Sequence, residues 1–206
     1  MKRILFFAVV AFLATSCSTM FTTTTYRTSL VSVESPENAK VKYGETKIAT
    51  ITGEDGLSKY SYEDDFISVI WFFGKEQISF TLKNKSGFSI KLPWDDMAYV
   101  NEKGESKRVI HSGVKLVDRN AAQATSVVAK NASIDDILIP TDNIYYVSGQ
   151  YGGWRYYPLF PRYSSQEEAN SAGKVGQKVS ILFPIIIQDV QNEYVFEFQI
   201  DDVTVK

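Results

Sequence analysis

The sequence predicts an all-β domain, either a sandwich or a barrel, and three observations support this prediction. Apolar side chains recur at every second position in many short segments, whereas the spacing of an amphipathic helix is scarce. About ten such segments follow one another, with turn-forming residues between them every 8–12 residues or so. Of the 206 residues, 44% are hydrophobic and 14% are aromatic, which suits a folded chain with a large core.

The predicted strands run along the whole chain. The first covers 26–33 and ends before Pro36, because proline cannot donate a hydrogen bond to a ladder. The other candidates are 66–73, 78–82, 88–92, 97–99, 108–110, 114–116, 126–128, 137–139, 179–183 and 194–200. The residues expected to face the core are the apolar members of the clearest alternating runs: Phe80, Leu82, Ile90, Leu92, Ile181, Phe183, Phe196 and Phe198.

Only two segments carry helix signals. Ser165 is a suitable N-cap, Glu167 and Glu168 suit a first turn and Gly173 a stop, so at most one short helix is expected here. Pro93 favours a single turn over 93–96, with the proline at its first position. Neither segment is long enough to contribute a helical core.

The first seventeen residues have the pattern of an export signal. Lys2 and Arg3 precede an apolar run from Ile4 to Ala14, which is too short to span a bilayer as a helix because a span needs about 20 residues. Small residues then stand directly before Cys17, the single cysteine of the chain. This order of a basic start, a short apolar run and small residues is typical of an exported protein.

The segment Ala14-Thr15-Ser16-Cys17 resembles the lipobox of bacterial lipoproteins, with Ala14 where leucine is commonest in that family. The resemblance implies that the signal is removed before Cys17, which is diacylated on sulfur and acylated on its new amino group. Three acyl chains exceed what stable membrane anchoring requires. The alternative is an ordinary secretory signal with a chance cysteine at its end.

We therefore expect residues 1–16 to be a lipoprotein signal peptide, residues 17–25 a lipidated tether and residues 26–206 a single domain. By resemblance to enteric lipoproteins, an aspartate after the cysteine would favour inner-membrane retention, and Ser18 stands there instead. The segment 18–25 lacks the acidic cluster that resembles a surface-export signal in some lipoproteins. Attachment to the outer membrane, facing the periplasm, is therefore favoured over surface display.

Two parts of the chain resemble the immunoglobulin-like accessory domains of the bacterial cell envelope. The segment 78–86, which contains the turn Asn84-Lys85-Ser86, and the strand over 90–94 match the strand–turn–strand core of that family. The segments 128–140 and 195–198 are similar to its later strands. The resemblance implies an immunoglobulin-like β-sandwich and assigns no catalytic residue, since a fold alone does not define a function.

The long connection 144–178 is the part least typical of a sandwich. Its first portion, 145–163, is rich in aromatic residues that glycines and prolines interrupt. Either the rings fold back and plug an open end of the sheet, or some stay exposed as a contact surface for a protein or a sugar; an overlooked strand is a third possibility. For a contact surface, Trp154 is the expected anchor. The accompanying candidate binding residues are Tyr151, Arg155, Tyr156 and Tyr157, with Arg162 as a further polar partner.

Catalytic and metal-binding patterns are weak. His111, Ser112 and Asp118 supply the residue types of a hydrolase triad, but a turn at 111–113 is favoured because adjacent residues of a strand point to opposite faces. Four acidic pairs have the residue type of calcium ligands or catalytic carboxylates, although capping or solvated acids are the commoner role. These pairs are Asp64-Asp65, Asp95-Asp96, Asp135-Asp136 and Asp201-Asp202.

Composition excludes several other classes of function. One cysteine and one histidine cannot form a zinc cluster, and neither a P-loop nor a dinucleotide motif occurs. A net charge of −2 gives no electrostatic reason to expect nucleic acid as a partner. We expect no cofactor and no metal, with the membrane as one partner through Cys17.

Three functions are consistent with these patterns. The first is a non-catalytic structural or protein-interaction module that a lipid anchor presents to another protein of the cell envelope. The second is a lipoprotein that binds a glycan or a small ligand through 145–163, and the third is a hydrolase with acidic catalytic residues. A flat edge rimmed by aromatic residues would favour the interaction module. Exposed coplanar rings over a groove would favour glycan or ligand binding, and two convergent carboxylates in a cleft would favour the hydrolase.

Overall fold

The structure is a computed structural model that describes residues 22–34, 47–52 and 58–206. The predicted signal segment and the lipidation of Cys17 lie outside these residues, and so does Pro36, before which the first strand is expected to end. The described chain is all-β with one short α-helix, which confirms the all-β class that the alternation predicts.

Fourteen strands lie within the described residues. They are β1 (Thr24–Glu34), β2 (Lys47–Thr52), β3 (Ser58–Glu63), β4 (Ile67–Phe73), β5 (Ile78–Asn84), β6 (Ile90–Leu92), β7 (Ala98–Val100), β8 (Ser106–Ile110), β9 (Ser126–Val128), β10 (Ser133–Pro140), β11 (Ile144–Val147), β12 (Gly153–Tyr156), β13 (Lys178–Ile187) and β14 (Val190–Val205). The helix α1 is Gln166–Ser171, and 3-10 turns cover Trp94–Asp96, Leu116–Asp118 and Thr141–Asn143.

Twelve strands form one antiparallel sheet in the order β1-β14-β13-β7-β8-β10-β5-β4-β3-β2, with β6 beside β13 and β9 beside β6. The sheet folds over on itself, because β8 pairs with β7 in one layer and with β10 in the other. At the far side the Tyr60 hydroxyl on β3 donates to the backbone oxygen of Thr28 on β1 at 2.7 Å. The sheet is therefore nearly closed, while β11 and β12 form a separate two-stranded hairpin.

Aromatic rings fill the space between the two layers. Trp71 on β4 lies 5.2 Å from Phe183 and 5.1 Å from Phe196 between ring centroids, and it has no exposed surface. Edge-to-face contacts of this kind add to the free energy gained from burying the rings. All eight residues expected to face the core are buried, which confirms the strand phases: Phe80, Leu82, Ile90, Leu92, Ile181, Phe183, Phe196 and Phe198.

A buried carboxylate fixes the turn between β3 and β4. One oxygen of Asp64 accepts the backbone N–H groups of Phe66 and Ile67 at 2.8 Å, and the other accepts the hydroxyls of Tyr62 and Tyr194. Since Tyr194 belongs to β14, this carboxylate joins the two layers. Burial raises the pKa of Tyr62, and the Asp64 charge raises it further, so the tyrosine remains a donor.

The Asn84-Lys85-Ser86 turn has a structural role. The Asn84 side chain is fully buried, and its amide donates to the backbone oxygens of Phe88 and Val128 at 2.8 and 3.0 Å. Its own oxygen accepts the Ser86 backbone N–H and hydroxyl. Asn84 thereby ties the turn between β5 and β6 to the end of β9, where buried backbone groups need partners.

The single helix and the first 3-10 turn appear where the sequence predicts them. The Ser165 hydroxyl accepts the Glu168 backbone N–H at 3.1 Å, which is the N-cap contact expected of serine at this position. Gly173 follows the helix with a φ of +59°, a conformation that favours glycine. Pro93 directly precedes the 3-10 turn at Trp94–Asp96.

Several sequence predictions are wrong. The strand expected over 114–116 is not formed, because Leu116 begins a 3-10 turn and two alternating apolar positions are too few to define a strand. The connection 144–178 is not a loop throughout, since β11, β12 and α1 lie within it. The strands β2 and β3 lie in segments for which the sequence predicts no strand. The strand β1 begins at Thr24, inside the expected tether, where Thr24 pairs with Val205.

The strand phase of β14 can be tested with two adjacent substitutions. Phe196→Ala should lower the free energy of unfolding by about 3–5 kcal/mol, because a fully buried ring is replaced by a cavity. Glu197→Ala should cost less than about 1 kcal/mol, because its 2.7 Å ion pair with Lys178 is partly exposed. Urea denaturation measures both values, and equal losses would contradict the assigned phase.

Candidate functional site

The hairpin formed by β11 and β12 is the most distinctive feature outside the main sheet, and we call residues 144–157 the aromatic hairpin. Ile144 pairs with Tyr156 and Tyr146 with Trp154, so these four side chains share one face. At the tip the Gly152 N–H donates to the Gly149 oxygen at 2.9 Å. A Cβ atom at Gly152 would lie 2.4 Å from the Val147 oxygen, so the tip requires glycine at this position.

The inner face of the aromatic hairpin packs against the outer surface of the main sheet. Ile144 is buried together with Ile110 on β8 and Ile139 on β10, and these three form a second hydrophobic cluster. Trp154 and Tyr156 pack against this cluster and are half-buried. The hairpin is therefore attached to the sheet by apolar contacts and is not an extension of it.

Two neighbours surround the Trp154 ring. The Arg119 guanidinium lies 5.1 Å from the ring centroid, and the Tyr146 ring meets it edge-on at 5.3 Å. Arg119 also donates to the Leu116 backbone oxygen, so the 3-10 turn at Leu116–Asp118 holds it in place. The position and the contacts of Trp154 are those of an anchor that fixes the hairpin to the domain.

The outer face of the hairpin presents tyrosine rings to solvent. Tyr145 and Tyr157 stack with their centroids 4.3 Å apart, and Tyr157 is 53% exposed. Tyr151 at the tip is 85% exposed, and Tyr146, which lies on the same face as Trp154, is also 61% exposed. The exposed Arg155 side chain donates to the backbone oxygens of Trp154 and Tyr151, which orders the tip.

The candidate binding residues are thus divided between two faces. Trp154 and Tyr156 lie on the inner face, whereas Arg155 and Tyr157 lie on the outer face and Tyr151 lies at the tip. The aromatic content of 145–163 includes Tyr145, but the sequence analysis does not predict it as a binding residue, and it stacks on Tyr157. An i, i+2 alternation is present in 144–147, although large side chains on both faces hide it.

The remainder of the aromatic segment folds back onto the main core. Phe160 is buried and stacks on Tyr26 at 4.6 Å, and Tyr163 is buried beside the start of β1. The expectation that the rings fold back onto the sheet therefore applies to 159–163. The expectation that some rings stay exposed applies to the outer face of the hairpin. Arg162 lies in the first of these parts and is exposed.

A shallow groove lies beside the hairpin on the outer face of the sheet. It has a volume of about 500 Å³, and its apolar floor is formed by Ile70, Phe72 and Ile137. Ile137 also packs against the hydrophobic cluster under the hairpin, so the groove and the hairpin adjoin. The exposed Lys59 and Asp135 also line it.

The residues of the conceivable triad have structural contacts. The His111 ring stacks on Trp94 at 4.1 Å, and its Nδ1 lies 3.3 Å from a carboxylate oxygen of Asp136, not of Asp118. The other oxygen of Asp136 accepts the Ser112 backbone N–H at 2.8 Å. This carboxylate therefore fixes the turn at 111–113 that the sequence favours.

The remaining acidic pairs also support turns or lie in solvent. Asp64 fixes the turn after β3 as described above, and Asp95 accepts hydrogen bonds from Arg108 and Gln123. Asp135 accepts the Thr81 hydroxyl on the outer surface of the sheet. Within the described ranges, no three histidine, cysteine or carboxylate side chains are grouped so that they could hold a metal ion.

Comparison of the chain with models of protein families, with curated proteins and with solved structures gives no match. Among residues 22–34, 47–52 and 58–206, no helix has the length and the apolar character that crossing a bilayer would require. The aromatic hairpin and the residues around it are the strongest candidate for a functional surface in the described chain.

The anchoring role of Trp154 predicts a loss of stability. Trp154→Ala should lower the free energy of unfolding by about 2 kcal/mol, because the half-buried ring leaves the cluster of Ile110, Ile139 and Ile144. Hydrogen exchange should show faster exchange in β11 and β12 than in the main sheet. Tyr151→Ala, at the exposed tip, is the control and should change stability by less than about 0.5 kcal/mol. An unchanged stability in Trp154→Ala would contradict the anchoring role.

Proposed function

We propose that this chain is a non-catalytic interaction module of the bacterial cell envelope that binds another envelope protein through the aromatic hairpin. In this proposal the acylated Cys17 holds it at the outer membrane, facing the periplasm. The observation that carries the proposal is the outer face of the hairpin, where the Tyr145–Tyr157 stack and Tyr151 are presented beside Arg155. Tyrosine and arginine are enriched among the residues that dominate protein–protein binding energy.

The arrangement of the rings favours a protein over a sugar as the ligand. A sugar-binding platform needs free ring faces, but Tyr145 and Tyr157 cover one face of each other. Arg119 lies over the Trp154 ring, which is the usual choice for such a platform because of its size. Rings that are mutually ordered in this way lose little side-chain entropy when a flat protein surface packs against them.

The hairpin is held rigidly, which also supports a role in binding. Apolar contacts fix its inner face, backbone hydrogen bonds from Arg155 order its tip, and the turn at Gly149–Gly152 has a defined geometry. A preorganised surface binds more tightly than a flexible one, because less conformational entropy is lost on association. The hairpin is therefore a preorganised surface that is suited to binding a partner.

For the frame that carries the hairpin we propose an immunoglobulin-like sandwich. This is supported by two facing antiparallel layers whose rings interlock, with Trp71 and Phe80 of one layer against Phe183 of the other. The continuous hydrogen bonding through β8 distinguishes this frame from two separate sheets. A frame of this kind can position a surface element, and its function depends on the residues of that element and not on the fold alone.

The proposal predicts that exposed tyrosines are needed for capture of the partner. In crosslinking of the native cell, Tyr151→Ala/Tyr157→Ala should reduce the captured species by tenfold or more, because two such residues contribute about 2 kcal/mol or more at an interface. The melting temperature should fall by at most about 2–4 °C, since Tyr151 is 85% exposed and Tyr157, which is 53% exposed, loses only its stack on Tyr145. The crosslinked band is quantified relative to the amount of the protein.

Two further variants serve as controls in the same experiment. Phe88→Ala removes an aromatic ring that is 47% exposed in the turn between β5 and β6, and it should leave capture intact. Cys17→Ser should move the protein into the soluble fraction, because acylation is blocked. Undiminished capture by the double tyrosine variant, or an equal loss in Phe88→Ala, would overturn the proposed function of the hairpin.

A further inference from the structure

A cavity opens at the end of the domain where the described chain begins. It has a volume of about 220 Å³ and lies between the start of β1, the turn after β4 and the segment 158–162. Its apolar wall includes Tyr26, Phe73 and Phe160, and two cationic residues, Lys75 and Arg162, line it as well. Both cations are exposed, and within the described part of the chain neither is paired with a carboxylate.

Hydrogen bonds fix the first described residues to this end. Thr23 and Lys206 exchange two backbone hydrogen bonds, at 2.7 and 3.0 Å, so the two termini of the domain lie side by side. The Thr24 hydroxyl accepts the Tyr163 N–H at 2.9 Å, and the Thr22 hydroxyl donates to the Tyr163 oxygen. The chain is thus held against the domain from Thr22 onwards.

The short distance in sequence to Cys17 determines which end faces the membrane. Four residues lie between Cys17 and Thr22, and the five Cα-to-Cα steps that join them span at most about 18 Å. The strand β14 begins at the opposite end of the domain and finishes at the cavity end. Its 16 residues span roughly 50 Å at full extension. An anchor on Cys17 therefore holds the cavity end close to the lipid surface and leaves the turn at 188–189 distant from it.

We propose that this end of the domain docks on the membrane that carries the anchor, with Lys75 and Arg162 contacting the phosphate groups of anionic phospholipids. The inference rests on the acylation of Cys17 proposed above. Cations within a Debye length of an anionic lipid surface, about 8–10 Å, are attracted to it, and a tether of at most about 18 Å allows this end of the domain to reach that distance. The apolar wall behind them suits the less polar part of the lipid headgroup region.

The proposal can be tested with the full-length lipidated protein in vesicles. Since acylation occupies Cys17, a cysteine introduced by Glu76→Cys or by Gln191→Cys provides a single free thiol for a fluorescent label. Glu76 lies in the turn at the cavity end, and Gln191 lies in β14 at the opposite end. Vesicles of phosphatidylcholine with phosphatidylglycerol, carrying a quencher on the headgroup, should quench the label at 76 and leave that at 191 unaffected.

Reversing the charges of the two cations distinguishes contact with the lipid phosphates from the closeness to the membrane that the tether alone imposes. Lys75→Glu/Arg162→Glu should remove most of the quenching at 76, as should high salt, because both weaken attraction to the lipid phosphates. Lys83→Glu/Lys130→Glu reverses two exposed lysines at the opposite end and should change nothing. Neither pair should alter the melting temperature, since all four side chains are exposed.

The outcomes distinguish this proposal from the anchoring on which it rests. If the protein floats with the vesicles but both labels are quenched equally, or only the label at 191 is quenched, the docking orientation is wrong and the anchor stands. Quenching at 76 that charge reversal leaves unchanged overturns the phosphate contacts. If the wild-type protein and Cys17→Ser both fail to float, the anchoring itself is wrong and the docking proposal falls with it.

Discussion

The interlocking of aromatic rings between the two layers is the contact on which the rest of the structure depends. Trp71 meets Phe183 and Phe196 across the interior at centroid distances near 5 Å, and all three rings are fully buried. Because these rings fill the interior, the features with the character of binding surfaces lie on the outside of the sheet. The aromatic hairpin and the cavity at the termini are two such features.

The hairpin depends on an unusual property of the sheet beneath it. Strands that face the core on one side normally present polar residues on the other, but Ile139 on β10 and Ile110 on β8 are buried away from the main core. The hairpin covers these residues with Ile144 and Trp154. Its outer rings are then presented at a fixed position, which a free loop of the same composition would not achieve.

The two proposed surfaces are connected through one segment of the chain. The Tyr157 N–H donates to the Asn143 oxygen at the base of the hairpin, and the Leu159 N–H donates to the Lys75 oxygen at the cavity end. The hairpin therefore begins at the end that we place near the membrane, and Trp154 lies farther along, beside Arg119.

The sequence predicts the core well because alternation is a local property. Phe80, Leu82 and Phe196 lie in long runs with polar neighbours, so their burial follows from period two alone. The strand β3 carries the same signal in Tyr60 and Tyr62, which alternate with polar residues, but two alternating positions are too few to predict a strand. Short apolar pairs such as Val114 and Leu116 do not distinguish a strand from a turn.

The division of the candidate binding residues could not be predicted, since it depends on contacts between distant parts of the chain. Whether Trp154 is exposed is decided by Arg119 and by the isoleucines of β8 and β10, and no local pattern reports these neighbours. Likewise, Phe160 is buried because it stacks on Tyr26, more than a hundred residues earlier. Composition identifies the segment, and tertiary packing determines which of its rings are available.

Hydroxyl-radical footprinting in intact cell envelopes tests the central claim most directly. Oxidation of Tyr145, Tyr151 and Tyr157 is compared between intact envelopes and the purified protein in detergent, with Phe88 as the internal reference. The account predicts that the three tyrosines are protected in the envelope, while Phe88 is oxidised to the same extent in both samples. Equal oxidation of the hairpin tyrosines in the two samples would contradict the claim that this hairpin is a contact surface.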